Sequence, residues 1–539
     1  MGVLQRERKR KNVENLLAAL AAMLNAPVRV QPTCSISKSR YVAGIQCPKR
    51  LYLQVHSPEF AIVDDQARAV MAQGTEVGIL ARKAFSGGVF VASDREHLGE
   101  AIRYTRELVG NPNVPAIFEA TFQHDGVLVR VDVLERCGTA FRLIEVKSST
   151  EIKPHYMHDI GIQKYVMEGN GLRIASACVM HLNRDYVYDG SHGDGNRHYD
   201  LSRLFVIEET GATNAAFISR QLNHSLKILG SPNPPEIEPG EQCKIPHRCE
   251  FYRICNAEWP ANDVRSLPIM KWKVDGLRQR GFCSTGQLPD SFWLRALYHL
   301  TPKECTMASA AKERTMHINR QISAELATLR YPVCYLDFET LWPALPWFAG
   351  MRPYDHIPYQ WSLHRREHSH APLVHSEFLW EKQDDPRAAF VSALSAAIAG
   401  TNTIVVYNKS FESSRLEELG RAVPGYRDLL SEARKKLWDL LPVLRRNVYH
   451  PDFCGSYSLK TVLPALMPGR QYEYLPVSDG LQAGHAWLRL LSEKNTGQRA
   501  RLRKALSAYC AQDTIALDCI LQILTQLAAL CSHTTRSAP

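Results

Sequence analysis

Two carboxylates one residue apart, Asp337 and Glu339, close an apolar run at residues 333–338. On a strand, alternate side chains share a face, so both acids would point to one spot at the strand's end. Carboxylates held that close repel unless a cation lies between them, and hard oxygen donors favour Mg²⁺ or Mn²⁺. Two further segments add to this set. Asn408-Lys409-Ser410-Phe411-Glu412 follows directly on the apolar run at 403–407, which puts another carboxylate at another strand end. Tyr509 and Asp513 stand four apart in a helical stretch and would share one helix face. There the phenol can hold an attacking water while the carboxylate binds metal.

A second set lies in the first half of the chain. Asp132 interrupts the apolar run 129–134 and Glu145 interrupts 143–146; a charge embedded in an apolar strand needs a partner or a metal. The two acids can face each other across a hairpin, and Lys147, two residues past Glu145, would share its face. Two carboxylates and an amine on one face suit one or two metal ions plus a charge that orients water and phosphate. Among the 14 cysteines, Cys243, Cys249 and Cys255 recur at an even spacing of six. In a reducing compartment such clusters are metal ligands rather than disulfides.

These residues need elements to hold them. Strand signals at 114–122, 126–134 and 140–147, separated by short polar turns, read as a meander, with helical patterns near 38–55 and 155–168. The Pro-rich stretch 231–235 breaks the chain before the cysteines. Residues 261–329 read as helices with loops. Beyond 331 come a strand at 333–338, a hairpin of 359–366 with 373–379, a helix at 386–399, a strand at 403–407 and a helix near 501–527. That order implies an α/β layer structure with a mixed sheet. The expected division is a helical leader 1–32, a domain 33–260 with the cysteine cluster, a helical connector 261–329, a second domain 330–530 and a tail 531–539.

Asp337-x-Glu339, Asn408-x-x-Phe411-Glu412 and Tyr509-x-x-x-Asp513, in that order, resemble the three exonuclease motifs of the DEDD superfamily, in the subtype that carries Tyr. The resemblance implies a ribonuclease H-like mixed sheet with helices and two-metal hydrolysis of phosphodiesters from 3′ ends. It makes Asp337, Glu339 and Asp513 metal ligands and Glu412 and Tyr509 their catalytic companions. The family's second motif ends in Asp; here Glu412 stands in its place, with Asp439 as a possible substitute. Lys460 is a candidate phosphate contact, or simply a solvated lysine.

Asp132 with Glu145-x-Lys147 resembles the PD-(D/E)xK nuclease core, a restriction-endonuclease-like fold. The closer likeness is to its RecB-like branch, which includes the CRISPR adaptation nuclease and AddB. By that resemblance Asp132, Glu145 and Lys147 are catalytic, Asp132 and Glu145 bind metal, and Glu119 on the preceding strand supports them. Gln163 and Tyr165 fall where the branch carries Gln-x-x-x-Tyr, but are spaced Gln-x-Tyr here. The upstream histidine of some members has no match near residues 74–78. One upstream cysteine, Cys47, plus Cys243, Cys249 and Cys255 resembles the branch's iron–sulfur staple, with Cys34 as competitor for Cys47. Four thiolates suit a [4Fe–4S] cluster; zinc takes four thiolates as well, though tight Cys-x2-Cys pairs are absent. The fusion of both modules resembles a prokaryotic family with this domain order.

The net charge of +10, from 65 Lys and Arg against 55 Asp and Glu, suits a polyanionic partner. A hydrophobic share of 45% argues against disorder across the chain. The basic cluster at 6–11 and the apolar stretch at 16–24 read as an amphipathic helix rather than a secretory leader. No stretch approaches the ~20 apolar residues of a membrane span. The expectation is a cytoplasmic, metal-dependent nuclease acting on nucleic acid, DNA ahead of RNA, without membrane attachment. The alternatives are a nucleic-acid-binding protein with one or both sites inactive, and a scaffold whose cysteines hold zinc.

Overall fold

The computed structural model describes residues 36–92, 97–193, 196–211, 214–256, 262–470, 475–477 and 479–533. The expected leader, Cys34 and the last six residues lie outside the described residues. The chain is a mixed α/β protein built on two mixed sheets. It divides into two compact units, residues 1–258 with 343–354, and residues 259–342 with 355–539.

The first unit begins with helices α1 (Lys38–Gln46), α2 (Pro48–His56), α3 (Asp65–Arg82) and α4 (Leu98–Gly110). The expected single helical pattern at 38–55 is broken at Cys47. Pro48 at the first helical position explains the break, because it starts a helix more readily than it continues one. The meander follows as β1 (Ala116–His124), β2 (Val127–Cys137) and β3 (Ala140–Lys147), all antiparallel. Asp125 and Gly126 join β1 to β2 with φ of 49° and 72°, the pair of positive φ values that a tight hairpin turn demands. Helix α5 (Tyr156–Gly169) then carries the chain to β4 (Ile174–Leu182), which runs parallel to β3, and β5 (Phe205–Glu209) pairs antiparallel to β4. Helix α6 (Ala215–Leu229) packs behind.

The alternation of the meander slips by one residue at two facing positions. Ile117, then Ala120 and Phe122, point to one core, as do Val129 and Val131, then Leu134; Phe118 and Val133 point to the other. The slips fall at Glu119 and Asp132. Glu119 has φ 55° and is left out of the β1–β2 pairing between Phe118↔Val133 and Ala120↔Val131. Such irregularities re-aim a side chain.

The second unit opens with α7 (Lys271–Gln279), α8 (Ser291–Tyr298) and α9 (Pro302–Glu313), which share a small core of Leu277, Leu294, Tyr298 and Ala308. Its sheet has strands β6 (Val333–Leu341), β7 (Ile357–Arg366), β8 (Val374–Leu379), β9 (Thr403–Val406) and β10 (Leu437–Asp439), ordered β8-β7-β6-β9-β10. β6, β7 and β8 are antiparallel, whereas β9 is parallel to β6 and β10 to β9. Cys334, Leu336 and Phe338 face the helices α10 (Arg387–Ala397), α11 (Lys409–Ala422) and α12 (Arg427–Lys435). The alternate residues of β6, Asp337 and Glu339 among them, therefore project from the opposite face. Helices α13 (Leu440–Asn447), α14 (Leu459–Leu466), α15 (Gly480–Ser492) and α16 (Thr496–His533) complete the unit.

α16 is longer than the expected 501–527, and it contains an apolar window long enough to cross a membrane by length and composition. Half of that window is buried within the protein. Leu506, Cys510, Leu517, Leu521 and Leu524 are all nearly inaccessible, a stripe at helical spacing that packs on β6 and β7.

Candidate functional site

In the first unit the β2–β3 ladder ends at Val133↔Ile144, one step short of Asp132 and Glu145. Asp132 Oδ2 instead accepts from the backbone N–H of Val146 at 2.8 Å. Glu145 is buried and fully engaged. Lys38 on α1 donates to both its oxygens at 2.9 Å, Lys147 lies 2.8 Å from Oε1, and Gln163 on α5 donates to Oε2 at 2.7 Å. Lys147 also reaches Asp159 at 2.6 Å. Lys147 thus shares a face with Glu145, as the spacing of two requires.

The electrostatics follow from burial and these partners. Burial pushes the Asp132 carboxyl up to about 7, with the charge of Glu145 adding and Lys38 opposing. Burial also disfavours a charged Glu145, but Lys147 and Lys38 outweigh it and hold that carboxyl well below its ordinary range. Two carboxyls in one pocket with shifts of opposite sign are an arrangement found at functional sites. Two expected companions stand elsewhere. Glu119 is paired with Arg82 at 2.8 Å. Tyr165 turns to Asp125 at 2.6 Å, because a spacing of two places it off the helix face that carries Gln163.

In the second unit the donor atoms of Asp337, Glu339 and Cys510 all lie within 4.8 Å of one another. Asp513, Glu412 and Tyr509 are buried nearby, at 8%, 2% and 4% exposure. Burial drives the Asp337 carboxyl far up, and the charges of Asp513, Glu339 and Glu412 add to the rise. Glu339 is pushed up to about 8 by burial and Asp513, with Lys460 opposing. Glu412 is pushed up to about 8 by burial, with Asp439 adding to the rise. Glu412 Oε2 is buried and has no hydrogen-bond partner among the described residues. The acids of α11 and α16 and the neighbouring Glu339 thus all act on Asp337 of β6. Burial raises the Tyr509 phenol as well, so it stays protonated, and Lys460 Nζ lies 5.4 Å over its ring.

Asp439 has another task. The residue considered as a substitute for Glu412 ends β10 and caps α13. Oδ1 accepts from the N–H groups of Asn408 at 3.0 Å and Leu441 at 3.1 Å, and Oδ2 accepts from that of Lys409 at 2.9 Å. Its carboxylate is taken up by backbone donors at the start of α11, the helix that carries Glu412.

Cys47, Cys243, Cys249 and Cys255 line one cavity with Arg50, Leu53, Phe251 and Tyr252. Cys47 precedes the first turn of α2, and the other three come about 200 residues later. Gln46 joins the two segments by donating to the carbonyls of Gln242 at 2.6 Å and His247 at 2.7 Å. Arg50 and Gln54 both reach Glu250, at 2.9 and 2.6 Å. None of the four is in a disulfide. Burial pushes the Cys249 thiol up to about 12.

A family model described as a domain of unknown function (DUF2779) matches residues 334–458. The match includes β6 with Asp337 and Glu339 and α11 with Glu412, and it ends before Tyr509 and Asp513. Comparison with curated proteins and with solved structures returned no match.

Four residues at these sites were not anticipated. Lys38 meets Glu145 across 107 positions of sequence, and no local spacing announces it. Asp159 stands four before Gln163 on α5, so the helical period could have found it. Cys510 stands three before Asp513, and the same argument applies. Tyr359, fully buried on β7, interacts electrostatically with Glu339, Cys510 and Asp337; only the strand pairing brings it there.

Proposed function

We propose that the chain is a metal-dependent nuclease whose second unit is a DEDD-type 3′–5′ exonuclease with a ribonuclease H-like fold. The observation that carries this reading is the convergence of Asp337, Glu339, Glu412 and Asp513: burial raises the carboxyls of the first three, and the charges of Asp513, Glu339 and Glu412 add to the rise at Asp337. Such a cluster calls for a divalent cation, and the unpartnered Glu412 Oε2 suits one. The sheet order supports the reading too. β6 has an antiparallel neighbour on one side and a parallel one on the other, and ligands gather at the carboxyl ends of strands at such switch points.

Asp337, Glu339 and Asp513 would hold Mg²⁺ or Mn²⁺, with Glu412 completing the set. When bound, the ions activate water and stabilise the leaving oxygen. The protonated Tyr509 phenol donates to the attacking water and orients it. Lys460, whose charge acts on Glu339 and which lies over the Tyr509 ring, would offset charge on a bound phosphate.

In the first unit the same logic supports a RecB-like site of Asp132, Glu145 and Lys147. Lys147 would steady water and phosphate, and Gln163 orients Glu145. A specific observation favours a second reading for this site alone. Glu145 is already saturated by Lys38, Lys147 and Gln163, as in a self-contained ion network that binds nucleic acid without cutting it. We read the four cysteines, which line one cavity, as ligands of a [4Fe–4S] cluster that would clip the ends of this unit together, with zinc as the alternative. Anaerobically purified protein is expected to be brown and to contain iron; a colourless protein with one zinc would remove the cluster.

The test is degradation of end-labelled single- and double-stranded DNA and RNA with Mn²⁺ or Mg²⁺. In a Lys147→Ala background, Asp337→Ala and Asp513→Ala should each abolish cleavage. Undiminished degradation by the Asp337→Ala protein in that background would remove the exonuclease assignment.

A further inference from the structure

Cys510 stands among the acids of the second unit rather than behind them. It lies on α16 between Tyr509 and Asp513 and is inaccessible to solvent. Its Sγ is 3.9 Å from Asp337 Oδ2 and 4.0 Å from the Asp337 carbonyl oxygen. Two ligands of one ion, at ~2.3 Å for sulfur and ~2.0–2.2 Å for oxygen, lie up to ~3.7 Å apart at a tetrahedral angle. A shift of a few tenths of an ångström would therefore let one ion touch both.

A second observation points into the same space. Two buried polar groups there have no hydrogen-bond partner among the described residues, Glu412 Oε2 and the Tyr359 hydroxyl. Their side chains are 2% and 0% exposed. The charge of Glu412 acts on Asp337, and Tyr359 interacts with Glu339, Cys510 and Asp337. A thiol that only filled core volume would be ringed by apolar atoms. This one faces carboxylates and groups left without partners.

We propose that Cys510 is a metal ligand, which makes one position of this site a mixed oxygen–sulfur centre that prefers Mn²⁺, Co²⁺, Zn²⁺ or Cd²⁺ to Mg²⁺. The proposal rests on the metal-dependent reading of the second unit and deepens it. Thiolate selects softer ions, whereas Mg²⁺ demands oxygen. On binding, the sulfur–metal bond forms as the thiol proton leaves to solvent, and nothing is oxidised or reduced. The site would then work with Mn²⁺ and be captured by traces of Zn²⁺ or Cd²⁺.

Cobalt(II) titrated into the full chain tests this directly. The sulfur-to-cobalt charge-transfer absorption should contain a component that is lost in Cys510→Ser and in Asp337→Asn. That component should survive Cys249→Ser, which reports on the separate cysteine cavity. The Cd²⁺-over-Mg²⁺ preference, measured by competition, should fall at least ~10-fold in Cys510→Ser. Cys510→Ala serves as the second variant should the serine protein fail to fold. A folded Cys510 variant with unchanged cobalt spectrum and unchanged Cd²⁺ preference would overturn the proposal and leave a packing thiol. If Asp337→Asn erased the cobalt component but left cleavage intact in the Lys147→Ala background, the nuclease reading would fall while the sulfur ligand stood.

Discussion

Glu412 replaces the shorter acid of the motif it resembles, and its environment gives that change a measurable signature. Its carboxyl is pushed up to about 8 from an ordinary 4.5, and Glu339 moves the same way to about 8. A raised carboxyl means that the folded state holds the proton more tightly than the unfolded one. Stability is then greatest at low pH and is lost as pH rises from the unfolded value through the folded one. Metal-free protein should therefore melt lower at pH ~8.5 than at pH ~6, by ~2–4 °C for each kcal/mol involved. The depressed Glu145 acts oppositely, but only in acid, below its ordinary range. Mn²⁺ should flatten the slope by taking the place of the protons. Glu412→Gln should shrink both the slope and the Mn²⁺ stabilisation. Melting curves with EDTA and with Mn²⁺ at the two pH values check this, and a slope untouched by Glu412→Gln would show that the charge is relieved elsewhere.

The junction of β9, β10 and α11 depends on Asp439, which holds three backbone N–H groups at 2.9 to 3.1 Å. Removing an acceptor of this kind costs ~0.5–2 kcal/mol, and here it also frees the first turn of α11, from which Glu412 projects. Asp439→Ala should lower stability by about that amount and reduce cleavage, whereas Asp439→Asn, which keeps an acceptor, should recover most of both. Equal loss in the two variants would mean that the charge itself takes part. This junction also marks where sequence reading stops. The meander was legible because apolar strand runs separated by short polar turns announce themselves locally, and so was the shared face of Glu145 and Lys147. β10 was not, because three residues are too few to show a period of two against a helical one. The break at Cys47 was half visible in Pro48, but the apolar pattern runs through it. Lys38 and Tyr359 were not legible at all, because only pairing across the fold brings them to their acids.

Both acid clusters occupy the same place in their sheets. β3 and β6 each carry an antiparallel neighbour on one side and a parallel one on the other, and the acids sit toward their carboxyl ends; the strand order reverses only beside β6, between β6 and β9, which makes that end a switch point. The two units are nevertheless not consecutive pieces of chain. Residues 343–354 follow β6 in sequence yet belong to the first unit. Ala344 and Leu345 are buried among Tyr188, Phe118 and Met180 of that unit. Tyr188 exchanges backbone hydrogen bonds with Met351 and Gly350 at 2.9 and 2.8 Å, and the Tyr354 hydroxyl donates to the carbonyl of Ser148, next to Lys147, at 2.7 Å. A fragment cut at the apparent boundary, residues 36–258, should therefore be incomplete. Losing Leu345 and Met351, both nearly inaccessible, removes large apolar side chains whose deletion costs on the order of 2–5 kcal/mol each. That is a sizeable part of the ~5–15 kcal/mol that holds a domain together. The fragment should melt lower than the first transition of the whole chain. Residues 343–354, supplied as a peptide or fused after 258 through a flexible linker, should restore the transition, and a Leu345→Ser peptide should not. A fragment that melts as the whole chain does, and ignores the peptide, would show that this segment only rests on the unit instead of completing its core.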